Sequence, residues 1–270
     1  MNGSAAKPMT PPSALETSRR IRINMLPALR SFDWLALGWQ DLKRCPTMAL
    51  LHGAVLAAFG AVLLWGARGR FWLLAGAFSG FLLVAPVLAT GLYAISRALS
   101  QGAPAGWRTV IDAWRPRQGR LVAFGLLLAL AGTGWVLTSA ALITGFAAEP
   151  VRNPADFLRV VVMREDSILF EAWLALGGVL AAPIFASSVG AIPLLLDRRI
   201  GVLAAVLTSW RAVLTNPVPL GIWAALIMGL TLAGMVTLMI GLVPIVPLIG
   251  HASWHAYRDL LDSSALPARP

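Results

Sequence analysis

The sequence predicts an all-α, polytopic transmembrane helix bundle. Three observations lead there. Of 270 residues, 58% are hydrophobic and only 13% charged, against about 25% charged in a soluble domain, and mean hydropathy is +0.74. The apolar residues gather into runs long enough for a ~30 Å hydrocarbon core, which a helix of about 20 residues crosses. The arginines flank those runs and fall mostly on alternate sides.

Residues 1–20 are rich in Ser, Thr, Pro and Ala and read as a disordered tail. A single membrane domain over 21–262 and a short tail over 263–270 follow. The string Ser18-Arg19-Arg20-Ile21-Arg22 faintly resembles a twin-arginine signal. Arg30, Asp33, Asp41, Lys43 and Arg44 interrupt the hydrophobic region such a signal needs, so no cleaved leader is expected.

The first four spans are expected at about 47–66, 71–96, 121–147 and 168–196. The last run, about 218–250, is longer than one helix requires and continues through His251 to Arg258. It reads either as one long helix or as two, about 218–240 and 243–260. Proline suits helix starts, so a break near Pro244 and Pro247 favours two.

Charge orders these spans. The N-terminal flank carries Arg19, Arg20, Arg22, Arg30, Lys43 and Arg44. Loop 97–120 carries five arginines against Asp112, and loop 197–217 carries Arg198, Arg199 and Arg211 against Asp197. All three are expected to be cytoplasmic. Loop 148–167, with four acids and three arginines, is expected outside. Arg68 and Arg70 then also fall outside, against the trend. Six spans return Arg258 and Arg269 to the cytoplasm, so six agree with charge better than five. Both termini are then cytoplasmic.

Three segments have helical stripe spacing rather than span length. They are 32–44 (Phe32, Leu35, Trp39, Leu42), 106–115 (Trp107, Val110, Ile111, Trp114) and 200–214 (Leu203, Leu207, Trp210, Leu214). Each holds a tryptophan, as helices at a headgroup boundary do. Trp39 precedes Pro46 by seven residues, and Trp210 precedes Pro217 by seven. From Pro86 to Trp114 is 28 residues, and from Pro183 to Trp210 is 27. These offsets suggest a unit of interfacial helix plus helix hairpin, used three times.

Few groups could carry chemistry. His52, His251 and His255 are the three histidines, and the last two share a helix face at a spacing of four. Neutral imidazoles so placed could bind a metal or haem. Cys45 is the one cysteine, which excludes a multi-cysteine metal site, and no metal or other cofactor is expected. Glu171 sits three residues into the fourth span, where an acid is expensive and a functional candidate by default. Its place near the boundary favours an interfacial role. Tyr257 and Arg258 close the last run as further polar candidates. Pro86, Pro183, Pro244 and Pro247 lie within apolar runs, as kinks that frame transporter sites or simply pack. Gly76 with Gly80, and Gly221, Ala225, Gly229 and Ala233, form small-residue ridges for helix contact.

The chain has no Walker loop, dinucleotide fingerprint, GxSxG, HExxH or EF-hand loop, so no enzyme is expected. The net charge of +10 flanks apolar runs instead of forming a patch. That fits a lipid bilayer with anionic headgroups and not nucleic acid.

Three strings carry a family resemblance. They are Gly250-His251-Ala252-Ser253-Trp254-His255-Ala256-Tyr257-Arg258-Asp259-Leu260; Trp39-Gln40-Asp41-Leu42 before Pro46; and Phe81-Leu82-Leu83-Val84-Ala85-Pro86 leading to Gly91-Leu92-Tyr93 and Ser96-Arg97. Together they resemble the bacterial integral-membrane family called domain of unknown function 2189, over about 30–262, with the C-terminal string the most specific part. The resemblance implies a bacterial inner-membrane protein and brings no activity or catalytic residue. The leading functional expectation is a structural or interaction protein, a scaffold or assembly factor with a membrane-protein partner or a homo-oligomer. Alternatives are a transporter or channel for a small apolar or lipidic solute, and a haem- or metal-binding protein.

Overall fold

The computed structural model describes residues 12–66, 89–114 and 119–269. The first helix, α1 (Ala14–Arg19), starts at a capping box. The Glu16 amide donates to Ser13 Oγ at 3.2 Å, and the Ser13 amide donates to the Glu16 carboxylate at 2.8 Å. Residues 14–19 are thus a helix and not the disordered tail the composition suggests. Ser18 explains the difference: it is buried, Thr208 Oγ1 donates to its hydroxyl, and Arg211 donates to its carbonyl.

A two-residue strand, β1 (Arg22–Ile23), leads to α2 (Arg30–Arg44) and α3 (Pro46–Gly66), which meet at a 107° bend. Most of the expected second span, residues 71–88 with Gly76, Gly80 and Pro86, lies outside the described residues. Its end continues as α4 (Thr90–Ser100), followed by α5 (Trp107–Trp114) and α6 (Gly119–Phe146). A short helix, α7 (Pro154–Phe157), runs into one π-helical turn at Leu158–Val162. Then come α8 (Leu169–Ser188) and α9 (Ala191–Asp197), which together form one apolar span of 29 residues. The chain ends in α10 (Val202–Thr215), α11 (Pro217–Val236), α12 (Leu242–Leu260) and β2 (Leu261–Asp262), the last paired antiparallel with β1.

All three stripe-bearing segments are therefore helices, and two meet the next helix in the same way. Cys45 separates α2 from Pro46 with φ −134° and ψ 58°; Asn216 separates α10 from Pro217 with φ −127° and ψ 55°. Proline forces its predecessor out of the helical region. It then starts the next helix, where its missing N–H is no loss. The spacing of seven from tryptophan to proline is this shared corner.

The last run is two helices, but they break earlier than the prolines suggest. The turn is at 237–241, where Leu238 (φ 52°) and Met239 (φ 70°) take left-handed conformations. Thr237 Oγ1 donates to the Gly234 carbonyl and accepts from the Gly241 amide, each at 2.8 Å. Pro244 falls in the first turn of α12, and Pro247 is buried within it.

Among the described residues, three helical stretches are long and apolar enough to cross a membrane: Gly119–Phe146, Leu169–Asp197 and Pro217–Val236. The bent pair α2–α3 adds a fourth if counted as one span. The chain is a multi-pass, all-α membrane protein.

Its helices are apolar on the outside. On α2, Phe32 (51% exposed) and Trp39 (47%) face outward, while Ser31, Trp34, Gly38 and Asp41 are buried. On α10, Leu203 and Leu214 face outward, and Ala204, Ala205, Thr208, Ser209 and Ala212 face inward. The stripes expected at a headgroup boundary thus mostly face out, while residues such as Gly38, Ala204, Ala205 and Ala212 let helices approach. Helix α12 lies at the centre, against α2, α3 and α4. A Cβ on Gly53 would come within 1.9 Å of the Val243 carbonyl oxygen, and one on Gly38 within 2.7 Å of the Ala252 nitrogen.

Gly53→Ala is expected to destabilise the protein by about 1–3 kcal/mol, because backbone cannot yield as a side chain can. Gly221 has open space around it, and Gly221→Ala is expected to leave stability unchanged or slightly raised. Thermal melting of both variants in detergent checks this; equal melting would contradict the close contact of α3 with α12.

Candidate functional site

Several buried or part-buried polar side chains, Asp41, Ser96, Arg97 and Asp197 among them, converge on α12 in two adjacent clusters, bridged by α4. Apolar surroundings make an unpaired charge costly, so each ionised group here needs partners.

The first cluster centres on Asp197, the last residue of α9 and 4% exposed. Arg97 on α4 ion-pairs with its Oδ1 at 3.1 Å. Its Oδ2 accepts from Arg198 Nε at 2.9 Å and from the Tyr257 hydroxyl at 2.8 Å. Arg258 Nη1 stands 4.0 Å from the same oxygen. Tyr257 also shares a 3.0 Å hydrogen bond with Ser263. The following tail folds onto the cluster: the Arg269 amide donates to the Asp197 carbonyl at 2.9 Å, and Arg97 donates to the Arg269 carbonyl. Residues 263–269 are thus tied in rather than forming a free tail. Next to them, Asp262 accepts from the Ser264 hydroxyl and amide, which hold its carboxyl below the usual aspartate value.

The second cluster lies where α2 and α4 meet α12. Asp41, also 4% exposed, is 2.8 Å from His255 Nε2, and Arg44 is 3.9 Å away. Ser96 Oγ and His251 Nδ1 are 2.7 Å apart and both residues are fully buried. Ser96 and Arg97 are neighbours on α4, so one helix serves both clusters. Near the end of α12, Asp259 accepts from Arg30 Nε at 2.6 Å and from Trp34 Nε1 at 2.9 Å.

The expected site residues separate accordingly. His251 and His255 share α12 but bond different helices. His52 lies on α3, with Nδ1 3.3 Å from the Met48 carbonyl and Nε2 where a Cβ on Gly91 would be 2.6 Å away. Among the described residues, no three or more His, Cys, Asp or Glu side chains are grouped to hold a metal ion. Tyr257 and Arg258 belong to the Asp197 cluster. Glu171 stands apart, exposed in the first turn of α8. Pro183 lies inside α8, away from both clusters. Asp41, Ser96, Arg97 and Asp197 are the groups sequence reasoning passed over. Arg97 and Asp197 counted there as loop charges, and Asp41 as an interruption of an apolar run.

Residues 73–197 match a family model described as a predicted integral membrane protein (DUF2189). The DUF2189 match begins within the expected second span and ends on Asp197. It contains Phe81–Pro86, Gly91-Leu92-Tyr93 and Ser96-Arg97, so the resemblance is shown there. The C-terminal string Gly250–Leu260 and Trp39–Leu42 lie outside it. Both partners of the Arg97–Asp197 ion pair lie within it. No curated protein and no solved structure matches the chain.

Asp197→Ala is expected to cost about 3–5 kcal/mol, because it leaves Arg97 buried without its counter-charge. Tyr257→Phe removes one hydrogen bond to a charged acceptor and is expected to cost about 1.5–3 kcal/mol. Detergent melts of the two variants should show that order; an Asp197→Ala protein as stable as Tyr257→Phe would remove the cluster's structural role.

Proposed function

We propose that this chain is a non-enzymatic structural or interaction protein, a scaffold or assembly factor of the bacterial inner membrane. The observation that carries this reading is the mutual engagement of the buried carboxylates and their partners, although Trp223 Nε1, Trp254 Nε1 and His251 Nε2 are buried without a hydrogen-bond partner. Asp197 is taken by Arg97, Arg198 and Tyr257, Asp41 by His255, and Ser96 by His251. Groups spent on holding helices together are poorly placed to move protons or bind a polar substrate. The outward apolar faces of α6 and α11, with Leu126, Leu130, Met228 and Leu232 exposed, suit lipid or a membrane-protein partner, a second copy included. The arginines at the helix ends suit anionic headgroups.

The proposed topology has six spans in three hairpins, both termini in the cytoplasm. The turn at 237–241 supports it, by separating α11 from a 19-residue α12. A transporter of small apolar or lipidic solutes is the second reading. The 107° corner between α2 and α3 favours it, because broken helices frame many transport sites.

Affinity purification in mild detergent is expected to recover a stoichiometric membrane-protein partner or a homo-oligomer. A monodisperse monomer without partners, stabilised by a lipidic solute, would favour transport instead. A reporter fused after Pro270 is expected to read as cytoplasmic; a periplasmic signal would exclude six spans with an inside start.

A further inference from the structure

A cavity of 280 Å³ opens where the span Leu169–Asp197 ends, beside the end of α12 and the β1–β2 pair. Three arginines line it from three parts of the chain: Arg22 on β1, Arg198 just past α9, and Arg258 in the last turn of α12. Asp262 is the one carboxylate in the lining, so its net charge is 3 − 1 = +2. Ser263 and Ser264 add hydroxyls.

The guanidinium groups are only partly committed. Arg198 gives Nε to Asp197 and Nη1 to the Leu266 carbonyl, which leaves Nη2. Arg258 is half exposed, and its nearest carboxylate, 4.0 Å away, already serves Arg198 and Tyr257. Arg22 lies opposite Asp262 in the strand register and acts on it through charge, while Asp262 accepts from the Ser264 amide at 3.1 Å. Among the described residues, three arginines (22, 198 and 258) therefore line the cavity against one carboxylate (262), a charge balance that favours an anion.

Guanidinium donors in a fork match phosphate oxygens in pairs, and hydroxyls can supply the remaining bonds. The volume lies just below that of drug-sized ligand sites, about 300–1,000 Å³, and suits a compact group. Its place at the end of an apolar span is the depth at which headgroups lie.

We propose that this cavity binds a phosphate group, carried either by an anionic phospholipid headgroup or by a soluble phosphate compound. The site goes beyond the scaffold reading and would serve a transporter equally.

The test uses the full chain, delipidated in neutral, phosphate-free detergent. One arm adds phosphatidylglycerol in mixed micelles, with phosphate-free diacylglycerol as control. The other adds inorganic phosphate or pyrophosphate. Thermal melting and calorimetric titration read binding. Wild type is expected to bind in at least one arm. A response to phosphatidylglycerol alone identifies the lipid source, and a response to the inorganic anions identifies the soluble one.

Arg22→Gln with Arg258→Gln is expected to weaken binding about tenfold or more, since two charged hydrogen-bond donors are lost. The corresponding double lysine variant should keep part of it. Arg152→Gln with Arg164→Gln, exposed in the loop between α6 and α8, should bind as wild type. If the double glutamine variant melts without ligand well below wild type, Arg258→Gln alone replaces it. No binding in either arm overturns the proposal, as does undiminished binding by the glutamine variant.

Discussion

A buried carboxylate at the end of an apolar span imposes the strongest constraint on this molecule. Asp197 is almost fully enclosed and closes a 29-residue apolar stretch. Left alone it would cost several kcal/mol, so the fold must bring cations and donors to it. Arg97 arrives from α4, Tyr257 from α12, and Arg198 from the next residue along the chain. The same requirement orders the polypeptide after β2, because the carbonyl of Asp197 takes the Arg269 amide and Ser263 shares the Tyr257 hydroxyl. Segments far apart in sequence are thereby fixed to one point.

The rest of the interior follows from the solvent. A soluble helix turns its large apolar residues inward, because water expels them. Lipid tails are as apolar as leucine, so that drive is missing between membrane helices and close packing decides instead. Helix α10 shows the result. Its leucines at 203 and 214 face outward, and its alanines at 204, 205 and 212 with Thr208 and Ser209 face the core. Helix α2 shares this only in part: Phe32 and Trp39 are outside and Gly38 inside, where it admits the backbone of α12, but Trp34 and Leu42 are buried too.

This explains which features could be read from sequence. Apolar run length depends on hydrophobic thickness alone, so the expected 47–66 and 121–147 nearly match Pro46–Gly66 and Gly119–Phe146. Stripe spacing located α2, α5 and α10, since periodicity belongs to the helix whichever way the stripe faces. Its direction was not legible, because a stripe has the same period against lipid or core. The pairings were not legible either. Asp41 and His255 are 214 residues apart, and nothing local marks either as the other's partner. The i, i+4 spacing of His251 and His255 did place both on α12, but Ser96 and Asp41 drew them to different neighbours. The helix at 14–19 escaped composition because its stability comes from one capping box and from contacts of Ser18 with α10.

One corner recurs at Cys45 and Asn216 with backbone angles that agree within about 10°, set by the proline that follows each. Arg97 from α4, Arg198 just past α9, and Tyr257 and Arg258 from the last turn of α12 meet around Asp197. Three arginine-bearing segments brought together in an apolar medium would repel. A carboxylate on one of them converts that repulsion into a shared counter-ion. The central position of α12, with its histidines and tyrosine, is then a consequence of where its end must go. Its tight turn from α11, with two left-handed residues and no interfacial helix between, delivers it there.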